Sequence, residues 1–271
     1  MRIFVLLLSC LSCAAQFADY TDQPFVSGLP DVGVPQTIAG LQLWFKPETL
    51  SGTNGQVLTT WADSSGNGWN ANDTVGSNGP TLTNAVLGSY SGIYFGAANN
   101  NKRLTVTNQG ALSIFSGKDG CTLFSVVKKN ANSASDQYWF DTQHSASFPI
   151  LGLEQNSVGN THYFYSNKGD AGGFKSCGSM PSGFNILTYR VQWTNVTLSY
   201  HINGASTNTI TLPGSGQQSA TNWISEITLG RYGGGQYSLD GWLVEMIVYS
   251  TVLSTSNRAV VESYLKTKYG L

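Results

Sequence analysis

The chain has 271 residues and a formal net charge of -1, with 11% of its residues charged against the usual quarter. It has no Lys/Arg-rich run, so nothing in it suggests a nucleic-acid or anionic-membrane surface; Lys128-Lys129 reads as a solvated strand end. The length can bury one sizeable all-β core or two smaller ones, and the abundance of glycine, serine, threonine and asparagine fits many short strands joined by polar turns.

MRIFVLLLSCLSCAAQ carries one basic residue, an apolar run and small residues up to Ala15. This is the pattern of a secretory signal peptide covering 1–15; a lipoprotein anchored at Cys10 is the alternative. The apolar run is shorter than the roughly twenty residues of a membrane span, and no later stretch reaches that length. A secreted location with no membrane span is therefore expected. Residues 16–38 contain Pro24, Pro30, Gly33 and Pro35 without a clear period, which predicts a loosely attached extended arm before a domain at 39–271. Beyond the leader only Cys121 and Cys177 remain, enough for one disulfide in an oxidising compartment or for two free buried thiols. Asn72-Asp73-Thr74 and Asn195-Val196-Thr197 are N-glycosylation acceptors in a eukaryotic or eukaryotic-viral source, and turn or strand residues otherwise.

Alternation predicts a first strand over Leu41–Lys46 and a second ending at Trp61, followed by the loop ADSSGNGWNAND. Further strands are predicted around Tyr94 and Val106, from Cys121, and around Trp139 and Phe164. FNILTYRVQW, VTLSYHI and TNTITL follow, the last two joined by an Asn203-Gly204 hairpin turn. After ISEITLG and the glycine-rich RYGGGQYS comes a terminal unit. Its strand places Trp242, Val244, Met246 and Val248 on one face and Leu243, Glu245, Ile247 and Tyr249 on the other, both largely apolar, as in a central strand. Its helix is capped by Ser254 and Gly270, with Val260, Val261, Tyr264 and Leu265 as the apolar stripe. Arg258, Glu262 and Lys266 share another face, where Glu262 and Lys266 can pair, and Lys268 is expected to lay its stem on the protein and its ammonium in water. Many strands, one terminal helix, no βαβ alternation and no internal repeat predict a two-sheet antiparallel sandwich, with most of the seven tryptophans as core or rim packing.

LQLWFKPETL, WADSSGNGWNAND, YHINGA, ITLG with its glycine loop, and DGWLVEMIVYSTVLSTSNRAVVESYLKTKYGL together resemble the laminin-G-like members of the concanavalin A-like lectin/glucanase superfamily, in the same order from Leu41 to Leu271. The resemblance implies a jelly-roll sandwich whose first and last strands lie near one another. It also implies a secreted recognition or adhesion module, often carbohydrate-binding and sometimes calcium-dependent.

The paired-carboxylate pattern E-x-D-x-x-E of the related glucanases is missing, and Glu245, the only acid in its strand, is expected to be structural. His144, His162 and His201 show no zinc spacing, and no nucleophile elbow or phosphate loop occurs. Asp63 and Asn67, in D-x-S-x-N-G, are the candidate Ca2+ ligands, the alternative being a turn held by Asx-type hydrogen bonds. Trp69, Tyr232 and Tyr237 lie in glycine-rich loops and are the candidate sugar-stacking residues, weighed against covering the sandwich edge. The expected function is a secreted non-enzymatic recognition module binding carbohydrate or another extracellular surface. A structural or assembly component of a cell surface, matrix or virion is the alternative, and an atypical polysaccharide-active enzyme the second.

Overall fold

A computed structural model describes residues 34–271 apart from 75, 77–78, 97–100, 131–134, 145–149, 156–160, 169–170, 222–223, 234 and 236. The expected signal peptide, Cys10 and all but the last residues of the expected arm lie outside the described residues.

In chain order the strands are β1 (Leu41–Phe45), β2 (Thr60–Trp61), β3 (Ala71–Asn72), β4 (Thr81–Leu87), β5 (Tyr90–Tyr94), β6 (Leu104–Val106), β7 (Gly120–Lys129) and β8 (Gln137–His144). They continue as β9 (Leu151–Gln155), β10 (Thr161–Asn167), β11 (Gly172–Ser179), β12 (Asn185–Gln192), β13 (Thr197–Ile202), β14 (Ala205–Thr211), β15 (Ile224–Leu229) and β16 (Gly241–Tyr249). The α-helices among the described residues are α1 (Val34–Thr37), α2 (Gln109–Leu112) and α3 (Thr255–Tyr269), and Pro47–Thr49 forms a 3-10 turn. The first sheet runs β14-β13-β12-β7-β16-β5-β4, with β1 also paired to β16; the second runs β11-β10-β9-β8-β15-β6-β3-β2. The protein is thus an all-β, two-sheet antiparallel jelly-roll sandwich of the concanavalin A-like type.

The terminal strand is central, as its two apolar faces predict. β7 lines one side of it, and β5 and then β1 share the other, so the first and last strands pair directly. Strict alternation fails, however. A bulge between Leu243 and Glu245 puts Leu243, Met246 and Val248 into the inter-sheet core, while Val244, Ile247 and Tyr249 pack in a second cluster with Val261, Leu265 and Tyr269 of α3. The α3 stripe is narrower than expected too, since Val260 is 48% exposed. Ser254 Oγ accepts from Asn257 N at 3.1 Å and Gly270 adopts the left-handed conformation, so both predicted caps form.

Trp44, Trp61, Trp139 and Trp193 are fully buried. The hairpin turn takes positive φ at Asn203 (50°) and Gly204 (75°), as a tight turn between twisted strands requires. At the other end of the chain, α1 is a helical turn rather than extended arm. Its Pro35 is buried, and Tyr249 Oη donates to Pro35 O at 2.9 Å. Strands β3, β4, β9 and β11, and the single-turn α2, lie outside the elements predicted from the sequence.

Candidate ligand-binding face

The outer face of the second sheet carries an unusual set of side chains. One cross-strand row, from β11 to β15, reads Phe174, Tyr165, Gly152, Asp141, Thr228; the next reads Ser176, Tyr163, Glu154, Tyr138. The neighbouring positions Phe164, Leu153, Phe140 and Leu229 all point into the core, so both rows face outward. A bulge between Tyr138 and Phe140 brings Tyr138 and Asp141 to the same side of β8, while Trp139 and Phe140 both turn inward.

The floor of this face is dry. Asp141 is 0% exposed, and Glu154, Tyr138 and Tyr165 are buried. Tyr138 Oη donates to Glu154 Oε2 at 2.7 Å, and Gly233 N donates to Asp141 Oδ2 at 2.9 Å. Asp141 Oδ1 has no hydrogen-bond partner; the Thr142 N–H lies near enough to favour the anion without hydrogen-bond geometry. Burial pushes the Asp141 carboxyl up to about 8, with Glu226 and Glu154 adding repulsion, and burial pushes Glu154 up to about 7. Around this floor stand accessible rings. Tyr232 and Tyr237 lie 5.1 and 6.5 Å from Tyr138, and Phe174, 46% exposed, packs edge-on to Tyr165 at 4.8 Å.

Of the three aromatics expected from sequence, the structure therefore brings two together: Tyr232 is half-buried and Tyr237 is 36% exposed. Trp69 stands apart, half-buried against the core beside α2, where a Cβ on Gly110 would lie 2.9 Å from its ring. The other members of the face, Asp141, Glu154, Tyr138, Tyr163, Tyr165 and Phe174, were missed. Their one sequence signal is a lone acid among aromatic and apolar residues in YWFDT and in LGLEQ.

The Asp63 loop takes the Asx-turn arrangement. Oδ1 accepts from Trp44 N (3.0 Å) and Ser65 N (2.9 Å), and Oδ2 from Ser65 Oγ (2.7 Å) and Trp69 N (3.1 Å). Four donors aimed at one carboxylate present positive dipoles where a cation would have to sit. Asn67 likewise turns its Nδ2 onto Gln42 O at 2.9 Å. Among the described residues no group of three or more His, Cys, Asp and Glu is placed to hold a metal.

Cys121 and Cys177 are free, buried thiols, not a disulfide. They belong to opposite sheets, which pack about 10 Å apart, whereas a bridge needs Cα atoms within about 7 Å. Asn72 and Asn195 are exposed, Asn72 within β3 and Asn195 in the turn before β13. His162 is buried between Trp139 and Tyr189, its Nε2 2.6 Å from Tyr189 Oη, and burial lowers it to about 3. His201 meets Arg258 at 3.3 Å, and Arg258 rather than Lys266 forms the ion pair with Glu262.

Glu245 is structural. It accepts from Trp44 Nε1 (2.6 Å), Tyr264 Oη (3.1 Å), Lys268 Nζ (2.9 Å) and Tyr269 Oη. The Lys268 ammonium is correspondingly not in water: its side chain is 5% exposed and also meets Glu48 at 2.8 Å. Burial opposes its charge, but Glu245 and Glu48 outweigh that and hold its pKa above the ordinary value.

The sequence matches no protein-family model and no curated protein. Among solved structures the chain is similar to Trypanosoma rangeli sialidase in complex with sialic acid, at 14% identity and TM-score 0.57, over 85% of this chain and 33% of that one. It is also similar to the Botulinum neurotoxin serotype D binding domain, at 12% identity and TM-score 0.57, over 85% and 51% of the two chains. A third likeness is the Botulinum neurotoxin DC binding domain in complex with SialylT, at 10% identity and TM-score 0.53, over 86% and 52%. The chain thus spans about a third of the sialidase and about half of the toxin binding domains. What it shares with all three is the sheet-sandwich fold.

Proposed function

We propose that the protein is a secreted, laminin-G-like recognition module that binds glycan on the outer face of the second sheet. The observation that carries this reading is the set of accessible rings, Tyr232, Tyr237, Tyr163 and Phe174, standing over a buried polar floor. Sugar rings stack on such faces while a few fixed polar atoms set their orientation. The leader-like first fifteen residues support secretion. Support for a glycan comes from the solved complexes of similar fold, the sialidase with sialic acid and the serotype D toxin domain with N-acetylneuraminic acid. Binding is favoured over hydrolysis because the paired-carboxylate pattern E-x-D-x-x-E of the related glucanases is missing from the sequence.

A glycan array followed by calorimetry tests the reading. Tyr237→Ala and Phe174→Ala remove exposed rings and leave the fold intact, so each is expected to weaken binding about 3- to 10-fold at an unchanged melting temperature. Failure of every glycan to bind would overturn it.

A further inference from the structure

We infer that the protein carries a second binding site, separate from the glycan face, that takes a phosphate or sulfate group in the seam between α3 and strands β12 and β13, with Arg190 as its anchor and Arg258 and Lys266 beside it. The seam lies on the outer face of the first sheet. Tyr189, Val191, Leu198 and Tyr200 belong to the inter-sheet core, so Arg190, the Ser199 opposite it on β13, and His201 face outward. From α3 come Arg258, Glu262 and Lys266, each one helical turn after the last. Arg258 meets His201 at 3.3 Å and pairs with Glu262. At the far end Lys266 Nζ and Glu262 Oε2 stand 3.2 and 3.6 Å from where a Cβ on Gly204 would be, so the seam closes on the β13–β14 hairpin turn. Three cations thus gather around one carboxylate. Because α3 has no acid in its first turn, Arg258 also adds its charge to the positive end of the helix dipole.

The donors offered to a ligand are accessible ones. Among the described residues the half-buried Arg190 has no hydrogen-bond or ion-pair partner, and of its three nitrogens only Nε is buried; its two terminal nitrogens are open to solvent, as is Nη2 of Arg258. Lys266 is exposed. The one acid present, Glu262, is already engaged by Arg258 Nη1. Burial and then the Arg258 charge lower Arg190 from its ordinary value, yet a guanidinium stays protonated near neutral pH, so the two charges face each other unrelieved. An anion that reaches both offsets that repulsion. A phosphate or sulfate group has enough acceptor oxygens to take both guanidinium forks at once, whereas a carboxylate satisfies one. The site therefore discriminates tetrahedral oxyanions from carboxylates by the number of oxygens they present.

The experiment is calorimetry on the full chain with sodium phosphate, sodium sulfate, glucose 6-phosphate, glucose 6-sulfate and sodium acetate, each in a sodium chloride background of matched ionic strength, repeated on Arg190→Gln and Lys266→Gln. Expected is binding of phosphate or sulfate at least about tenfold tighter than that of acetate, weakened at least about tenfold by Arg190→Gln and about 2- to 3-fold by Lys266→Gln. Because Arg190 repels Arg258, Arg190→Gln is expected to melt no lower than the wild type in chloride, a result that an arginine with a merely structural role would not give. Tyr237→Ala is expected to leave the anion titrations unchanged, and Arg190→Gln to leave glycan binding unchanged, so the two sites stand or fall separately. Esters that bind more tightly than the inorganic ions, through an increment that Arg190→Gln removes, assign the site to a phosphorylated or sulfated ligand; esters that bind no more tightly assign it to the free ion. Acetate binding as tightly as phosphate and sulfate would overturn the selectivity. An anion response that Arg190→Gln retains in full, or none above the chloride background, would overturn the site.

Discussion

Asp141 makes the stability of the protein depend on pH in a direction opposite to that of most carboxylates. In the unfolded chain its carboxyl ionises near 3.8; in the fold, burial pushes it up to about 8. Between those values the folded state holds a proton that the unfolded state has released, so stability falls as pH rises. At 1.36 kcal/mol per pH unit the loss reaches at most about 6 kcal/mol above pH 8. Asp141→Asn keeps the shape and an oxygen for Gly233 N–H while removing the charge. Urea unfolding of both proteins from pH 5 to 9 is the assay. The variant should gain on the wild type by up to about 1.4 kcal/mol per pH unit until pH 8, then run parallel. His162 does not confuse the comparison, since both proteins carry it and its depressed pKa costs stability only as pH falls below 6.5. Stability curves that run parallel from pH 5 to 9 would refute a buried, protonated Asp141.

Other predictions concern the supports of the fold. Lys268→Met strands Glu245 beneath α3 and should cost about 3–5 kcal/mol in urea unfolding, with Lys268→Met/Glu245→Gln recovering part of it; a loss under 1 kcal/mol would contradict the buried pair. Asp63→Ala leaves the Trp44, Ser65 and Trp69 N–H groups without their acceptor and should cost about 2–4 kcal/mol, whereas millimolar Ca2+ should leave the wild-type melting temperature unchanged. Alkylation followed by peptide mapping should label Cys121 and Cys177 only after denaturation, because burial raises both thiols, Cys177 to about 12.

The strands that alternate cleanly and the helix caps were legible in the sequence, since each rests on local periodicity or on one side chain bonding its own backbone. Two bulges mark where that legibility stops. In β8, alternation puts Tyr138 with Phe140 and Trp139 with Asp141, yet the extra residue aligns Tyr138 with Asp141 and so assembles the candidate face. In β16 another bulge moves Val244 to the face of Glu245. A bulge is chosen by what the partner strands offer, which is information distant in sequence. Lys268 was misread for a similar reason: its partner Glu48 lies 220 positions away. The accessibility of Tyr232 and Tyr237 was legible because a glycine-rich loop exposes aromatics locally; the acids beneath them depend on strands β8 and β9.

The pairing of β1 with β16 also sets a schedule for the nascent chain. Trp44 bonds Glu245 across 201 positions, and among the described residues β1 pairs with no other strand before β16 emerges, its earlier backbone link being the single Phe45–Asp63 bridge. At about 5–20 residues per second, β1 waits roughly 10–40 s with an open edge. The inter-sheet core can collapse early around β7 and β12, whereas β1, β16 and α3 lock together only once β16 and α3 have emerged. Mutations in β16 and α3 should therefore reduce yield through aggregation during synthesis more than their equilibrium cost implies.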